Sequence, residues 1–76
     1  MKDLVEHIVR HLVDHPKDIR IAEVAGEKTQ IIELRCHAND LGKVIGKSGK
    51  TVGAVRTLLS SIAAREGRKA ILEVVE

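Results

Sequence analysis

Two glycines three residues apart, Gly46 and Gly49, stand between stretches of helical periodicity, and they constrain the chain more than any other feature. Before them, Leu41, Val44 and Ile45 follow capping residues at Ala38 or Asn39, enough for a helix of two turns that stops at Gly46. After them, Val52, Val55, Leu59, Ile62 and Ala63 recur at helical spacing up to Gly67, with Arg65 near the negative end of the helix dipole. A residue without Cβ lets the backbone reverse between two helices and come close to a ligand. Lys47 and Ser48 occupy that reversal, and the second helix directs its free N–H groups and positive dipole end to the same place. These are the ingredients of a phosphate site.

The rest of the chain supplies the scaffold. Leu4, Val5, Ile8, Val9, Leu12 and Val13 form one face of a helix whose opposite face carries Asp3, Glu6, Arg10 and Asp14. Pro16 disfavours helical backbone at the residue before it, so the helix is expected over about residues 2 to 14. Ile19, Ile21 and Val24, the turn Gly26-Glu27-Lys28, and the alternation from Thr29 to His37, with Ile32, Leu34 and Cys36 on one face, read as an antiparallel hairpin. A last strand is expected over Ala70 to Val75. The order is α-β-β-α-α-β without internal repeat or linker.

Seventy-six residues make a single domain spanning 1–76, and the absence of Phe, Tyr and Trp leaves Val, Ile, Leu and Ala to build its core. One cysteine, Cys36, rules out an intramolecular disulfide and points to a reducing compartment. No apolar run approaches membrane-spanning length, and the N-terminus lacks a signal-peptide pattern, so the expected location is the cytoplasm. Charge is uneven. Residues 1–42 hold six Lys/Arg against eight Asp/Glu, residues 43–69 seven against one, and residues 70–76 none against two. A basic stretch of this kind suits an anionic partner, although a solvated helix face also produces one.

A nucleotide-binding P-loop is the first alternative, since Gly46-Lys47-Ser48 and Gly49-Lys50-Thr51 are both Gly-Lys-Ser/Thr triplets. The glycine required five residues earlier is replaced by Leu41 in one register and Val44 in the other, and no strand leads into the loop. The string Val44-Ile45-Gly46-Lys47-Ser48-Gly49-Lys50-Thr51-Val52 instead resembles the V-I-G-x-x-G-x-x-[IV] signature of KH RNA-binding domains at every fixed position. The resemblance extends over essentially the whole chain and is closest to the small stand-alone bacterial KH proteins, the KhpA-like group. It implies an α+β type II KH fold, with three helices packed on one face of a three-stranded sheet. It also implies a G-x-x-G loop clamping the backbone of about four single-stranded nucleotides.

The RNA-binding set implied is Lys43, Val44, Ile45, Gly46, Lys47, Ser48, Gly49, Lys50, Thr51 and Val52, three of them lysines around one helix N-terminus. Val44, Ile45 and Val52, with Leu34 near the strand side, are the aliphatic candidates for holding bases, though each suits a core position equally well. Modules that stack bases on Phe, Tyr or Trp are excluded by composition. The family resemblance further implies regulation of transcripts for growth and cell division, RNA chaperoning, and a homodimer or a heterodimer with a larger KH-containing protein. The competing reading is a protein-interaction adaptor. It would act through the small residues Gly53, Ala54, Thr57, Ser60, Ser61 and Ala64 of the long helix, where another backbone can approach closely.

No nucleophile-base pair, paired carboxylates or metal cluster emerges, so neither an enzyme nor a cofactor is expected. His7, His11 and His15 at i, i+4 and i+8 have the spacing of a zinc or nickel site, but they diverge around the helix and read as solvated. Cys36 and His37, as neighbours in a strand, are expected on opposite faces, with Cys36 a small core residue.

Overall fold

The computed structural model describes residues 1–75. Its order is α1 (Lys2–Arg10), β1 (Arg20–Ala25), β2 (Thr29–Arg35), α2 (Leu41–Ile45), α3 (Lys50–Arg65) and β3 (Lys69–Val75), with 3₁₀ turns at Pro16–Asp18, Ala38–Asp40 and Lys47–Gly49. The expected α-β-β-α-α-β order and α+β class are therefore present.

The sheet runs β1-β2-β3, antiparallel between β1 and β2 and parallel between β2 and β3. Two-residue alternation divides each strand between the faces. In β2, Gln30, Ile32 and Leu34 are buried, and the register sets them beside Ala70, Leu72 and Val74 of β3. On the other face lie Arg20, Ala22 and Val24 of β1, Ile31, Glu33 and Arg35 of β2, and Ile71, Glu73 and Val75 of β3. Only the first face carries helices. Val5 and Val9 of α1, Val44 of α2, and Val52 and Leu59 of α3 meet Ile32, Leu34 and Leu72 there in one aliphatic cluster. Each large side chain so buried contributes about 1.5–3 kcal/mol, which is how a core without aromatics holds a domain of this size.

Helix α1 stops at Arg10, short of the expected residue 14. The apolar pattern does continue, and Val13 still packs on the core. The backbone leaves the helix because His11 and Leu12 tighten into bonds three residues back, to Ile8 and Val9. The Val13 N–H still reaches the Val9 carbonyl at 3.2 Å, but those of Asp14 and His15 after it are drawn away to the Asp40 carboxylate at 3.2 and 2.9 Å. Strand β2 likewise ends at Arg35, so Cys36 and His37 lie in a connection rather than on opposite strand faces. Cys36 is half-buried against the core. Desolvation, reinforced by the nearby Asp40 charge, pushes its thiol above the ordinary range.

Candidate nucleic-acid interface

The loop between α2 and α3 is built from backbone conformations that ordinary residues avoid. Gly46 ends α2 at φ 78°, ψ 169°, with its N–H on the Gly42 carbonyl at 2.8 Å. A Cβ there would stand 2.7 Å from the Thr51 Cβ and 2.8 Å from its backbone nitrogen, so the loop folds onto the first turn of α3. Gly49 is left-handed at φ 74°, ψ 15°, and its N–H returns to the Gly46 carbonyl at 3.1 Å. Between them Ser48 is also left-handed, at φ 56°, ψ 29°, the sole non-glycine with positive φ among the described residues. That conformation costs about 1–2 kcal/mol for a residue with a Cβ. Lys47 and Ser48 are nevertheless exposed, and no side chain caps the start of α3. Strain is thus held at one solvent-facing residue, Ser48, beside a helix start without a side-chain cap.

The other expected site residues divide. Lys50 is exposed, and Ile45 and Thr51 are half-buried beside the loop. Val44, Val52 and Leu34 are closed into the core at 3%, 6% and 0% exposure, which leaves Ile45 as the accessible aliphatic of the four. Lys43 sits apart from the other lysines, paired with Asp14 at the end of the α1 connection. The hydrogen bond from its ammonium to Asp14 raises its pKa against the opposing effect of desolvation, with the Asp14 and Asp40 charges adding to the rise.

His7 and His11 lie together on one side of the helix end, and His15 stands apart from them. His11 Nδ1–H donates to the His7 carbonyl at 2.7 Å, and their rings lie 4.7 Å apart. His15, outside the helix, places Nδ1 3.0 Å from Asp40 Oδ2 and stacks on His37 at 4.0 Å with an interplanar angle of 14°. His15 is exposed, as expected of this pattern, but one edge of its ring is tied to Asp40 and one face is covered by His37. No group of three or more His, Cys, Asp or Glu side chains suited to a metal occurs among the described residues.

Asp40 is the group that sequence reasoning missed. It is wholly buried, directly before α2. Burial pushes its carboxyl up, but the N–H groups of Asp14 and His15 together with the His15 imidazole outweigh desolvation and hold it below the ordinary carboxylate range. Its partners lie 25 and 26 residues away in sequence, so no local signal could announce them. Arg56 is a second such residue. Its Nε and Nη2 donate to the Leu72 carbonyl at 3.2 and 3.1 Å, tying α3 to strand β3.

Two helices joined by a strained, exposed Gly-Lys-Ser-Gly turn and packed on a sheet of this order define a KH module. The chain belongs to the family described as KhpA/KhpB, KH domain, which it matches over residues 2–74. It is 47% identical over 76 residues to the RNA-binding protein KhpA of Chlamydia caviae, covering 100% of this chain and 97% of that protein. The RNA-binding protein KhpA of Aquifex aeolicus is 45% identical over 76 residues, covering 100% and 96%. That of Clostridium perfringens is 44% identical over 75 residues, covering 99% and 100%. No solved structure matches the chain.

Proposed function

We propose that this chain acts as one KH unit that binds single-stranded RNA and regulates transcripts without catalysing a reaction. Gly46, Lys47, Ser48 and Gly49 hold the RNA backbone against the start of α3, and Lys50, Ile45 and Thr51 border the same place. The observation that carries this reading is the exposed, left-handed Ser48 beside Lys47 at an uncapped helix N-terminus. Backbone strain at solvent-facing residues serves no packing purpose and is common where a loop is preorganised for a ligand. The relatives named as RNA-binding proteins support it.

Replacing Lys47 and Ser48 by Asp tests the loop. Acidic groups in the first turn of a helix are tolerated by the fold, whereas two carboxylates facing phosphates repel them. Retention of a single-stranded oligonucleotide should be lost while Tm stays within about 3 °C of the parent. Unchanged retention refutes the loop's role.

A dimer is the second reading that one observation favours. Ala54, Thr57, Ser60, Ser61 and Ala64 leave an exposed face on α3, and Leu58 beside them is 44% exposed. A second copy, or a larger KH-containing partner, fits a helix face where small side chains surround an uncovered leucine. Acting as an adaptor, the protein would bind through this face alone and RNA binding would be incidental.

A further inference from the structure

The loop is not the sole concentration of positive charge at its end of the molecule. Arg20 opens β1 and Arg35 closes β2, and they are direct partners across the antiparallel pair. Because β2 and β3 are parallel, Arg35 lies beside Val75 at the C-terminal end of β3. Helix α3 joins β3 through a tight turn and runs back along it, as the Arg56 bonds to Leu72 show. The beginning of α3, and with it Lys47 and Lys50, therefore overlies the same end of the sheet as Arg20 and Arg35. The lysines stand on the helical layer and the arginines on the open face.

Like charges directly opposed across two strands destabilise a sheet, so sheet pairing does not explain the two arginines. Among the described residues neither has a carboxylate within 4.0 Å. Arg20 is held in place by two bonds of 2.8 Å from Nη1 to the carbonyls of Lys17 and Ile19, which leave its other N–H groups available. A shallow cavity of about 160 Å³ is lined by Arg20, Ile21, Ala22, Glu33 and Arg35. Ala22 leaves the space, and the acids of this face, Glu33 opposite Ala22 and Glu73 beside Glu33, lie two residues inward from the arginine pair. Of the acids between α1 and α2, Asp14 is engaged with Lys43 and Asp40 with His15.

We propose that Arg20 and Arg35 form a second phosphate-binding site on the open sheet face, which receives the same RNA strand after it has passed the loop. The inference rests on the RNA-binding reading above and extends it from a clamp of about four nucleotides to a path around the end of the sheet. The guanidinium fork matches phosphate geometry, and a fixed guanidinium loses less freedom on binding than a mobile one.

Fluorescence anisotropy with two oligouridylates, one of about four and one of about twelve nucleotides, separates the sites. Arg20→Gln combined with Arg35→Gln should weaken the longer oligonucleotide about tenfold, reduce the magnitude of its log-log salt slope by about 1.4, and leave the shorter one unchanged. Arg35→Gln alone, at the position without the backbone bonds of Arg20, should give about half the change in slope and so guards against a folding artefact. Equal weakening of both oligonucleotides, or none of either, overturns the second site. Affinity for the shorter oligonucleotide that survives the Lys47 and Ser48 replacement instead overturns the loop reading, and this extension with it.

Discussion

Replacing Gly46 by alanine should destabilise this protein more than the same change at any other glycine of the α2–α3 region, by an amount the geometry sets. At φ 78°, ψ 169° the backbone lies where essentially only glycine is found, which costs a residue with a Cβ about 1–3 kcal/mol. The new methyl would also meet Thr51, 2.8 Å from its backbone nitrogen, and overpacking of this kind adds about 1–3 kcal/mol. The combined loss is roughly 2–6 kcal/mol. At about 0.05–0.15 kcal/mol per residue, the whole domain holds only some 4–11 kcal/mol. An unfolding entropy near 2.1 cal/mol/K per residue converts each kcal/mol to about 6 °C, so Tm should fall by roughly 12–36 °C. Gly49→Ala meets nothing within 4 Å and carries only the left-handed penalty, about 1–2 kcal/mol or roughly 6–12 °C. Gly42, helical and open on its Cβ side, should gain up to about 1 kcal/mol as alanine. Thermal melts followed by circular dichroism, with urea titrations to confirm a common m-value, rank the three. A Gly46→Ala protein as stable as Gly49→Ala would refute the view that the loop is locked against α3 by its backbone.

Two further perturbations address other parts of the molecule. Because the Asp40 carboxyl is held below its unfolded pKa, its contribution is present above about pH 4 and lost as pH falls through the folded value. Asp40→Asn should therefore lower the urea midpoint at pH 7 and flatten its fall below about pH 4, with exposed Asp18→Asn as the control; an unchanged acid limb refutes the role given to Asp40. Ala64→Arg should turn a dimer into a monomer by sedimentation equilibrium while changing stability by no more than about 0.5 kcal/mol, and a parent already monomeric at about 10⁻⁵ M removes the dimer reading.

What the sequence shows of this architecture depends on how local the cause is. Helix α3 is legible because Val52, Leu59 and Ala63, spaced for one helix face, are the residues it buries. The loop is legible because Gly46 and Gly49 are needed for backbone reasons that act within a few residues. The end of α1 is not legible, since Leu12 and Val13 continue the apolar pattern while a distant carboxylate takes the N–H groups of Asp14 and His15. Nor can periodicity separate a groove wall from a core position. Val44, Val52 and Ile45 share one pattern, and only packing shows that two are enclosed and one is half open.

Folding also redistributes the charge in a way that counting along the chain conceals. Lys17, Arg20 and Arg35 belong to a segment in which acids outnumber bases, so in sequence they read as parts of a mildly acidic region. Two of that segment's acids, Asp14 and Asp40, are consumed in joining the α1 connection to α2, one by Lys43 and the other by backbone N–H groups and His15. Lys43, the lysine the sequence sets nearest the approach to the loop, is thereby withdrawn from it. Hairpin register and the parallel β2–β3 pair then carry Arg20 and Arg35 to the end of the sheet where α3 begins. Arg20, Arg35, Lys47 and Lys50, none with a salt-bridge partner among the described residues, thus stand together at one end although they come from both halves of the chain, while Lys28, Arg65 and Lys69, equally without one, stand at the other. At the other end Arg68 is tied to the Gly26 carbonyl, closing the turn between β1 and β2 against the start of β3. What sets the loop end apart is therefore not a surplus of unpaired cations but the exposed left-handed turn at the start of α3, beside which Asp14 and Asp40 are already engaged.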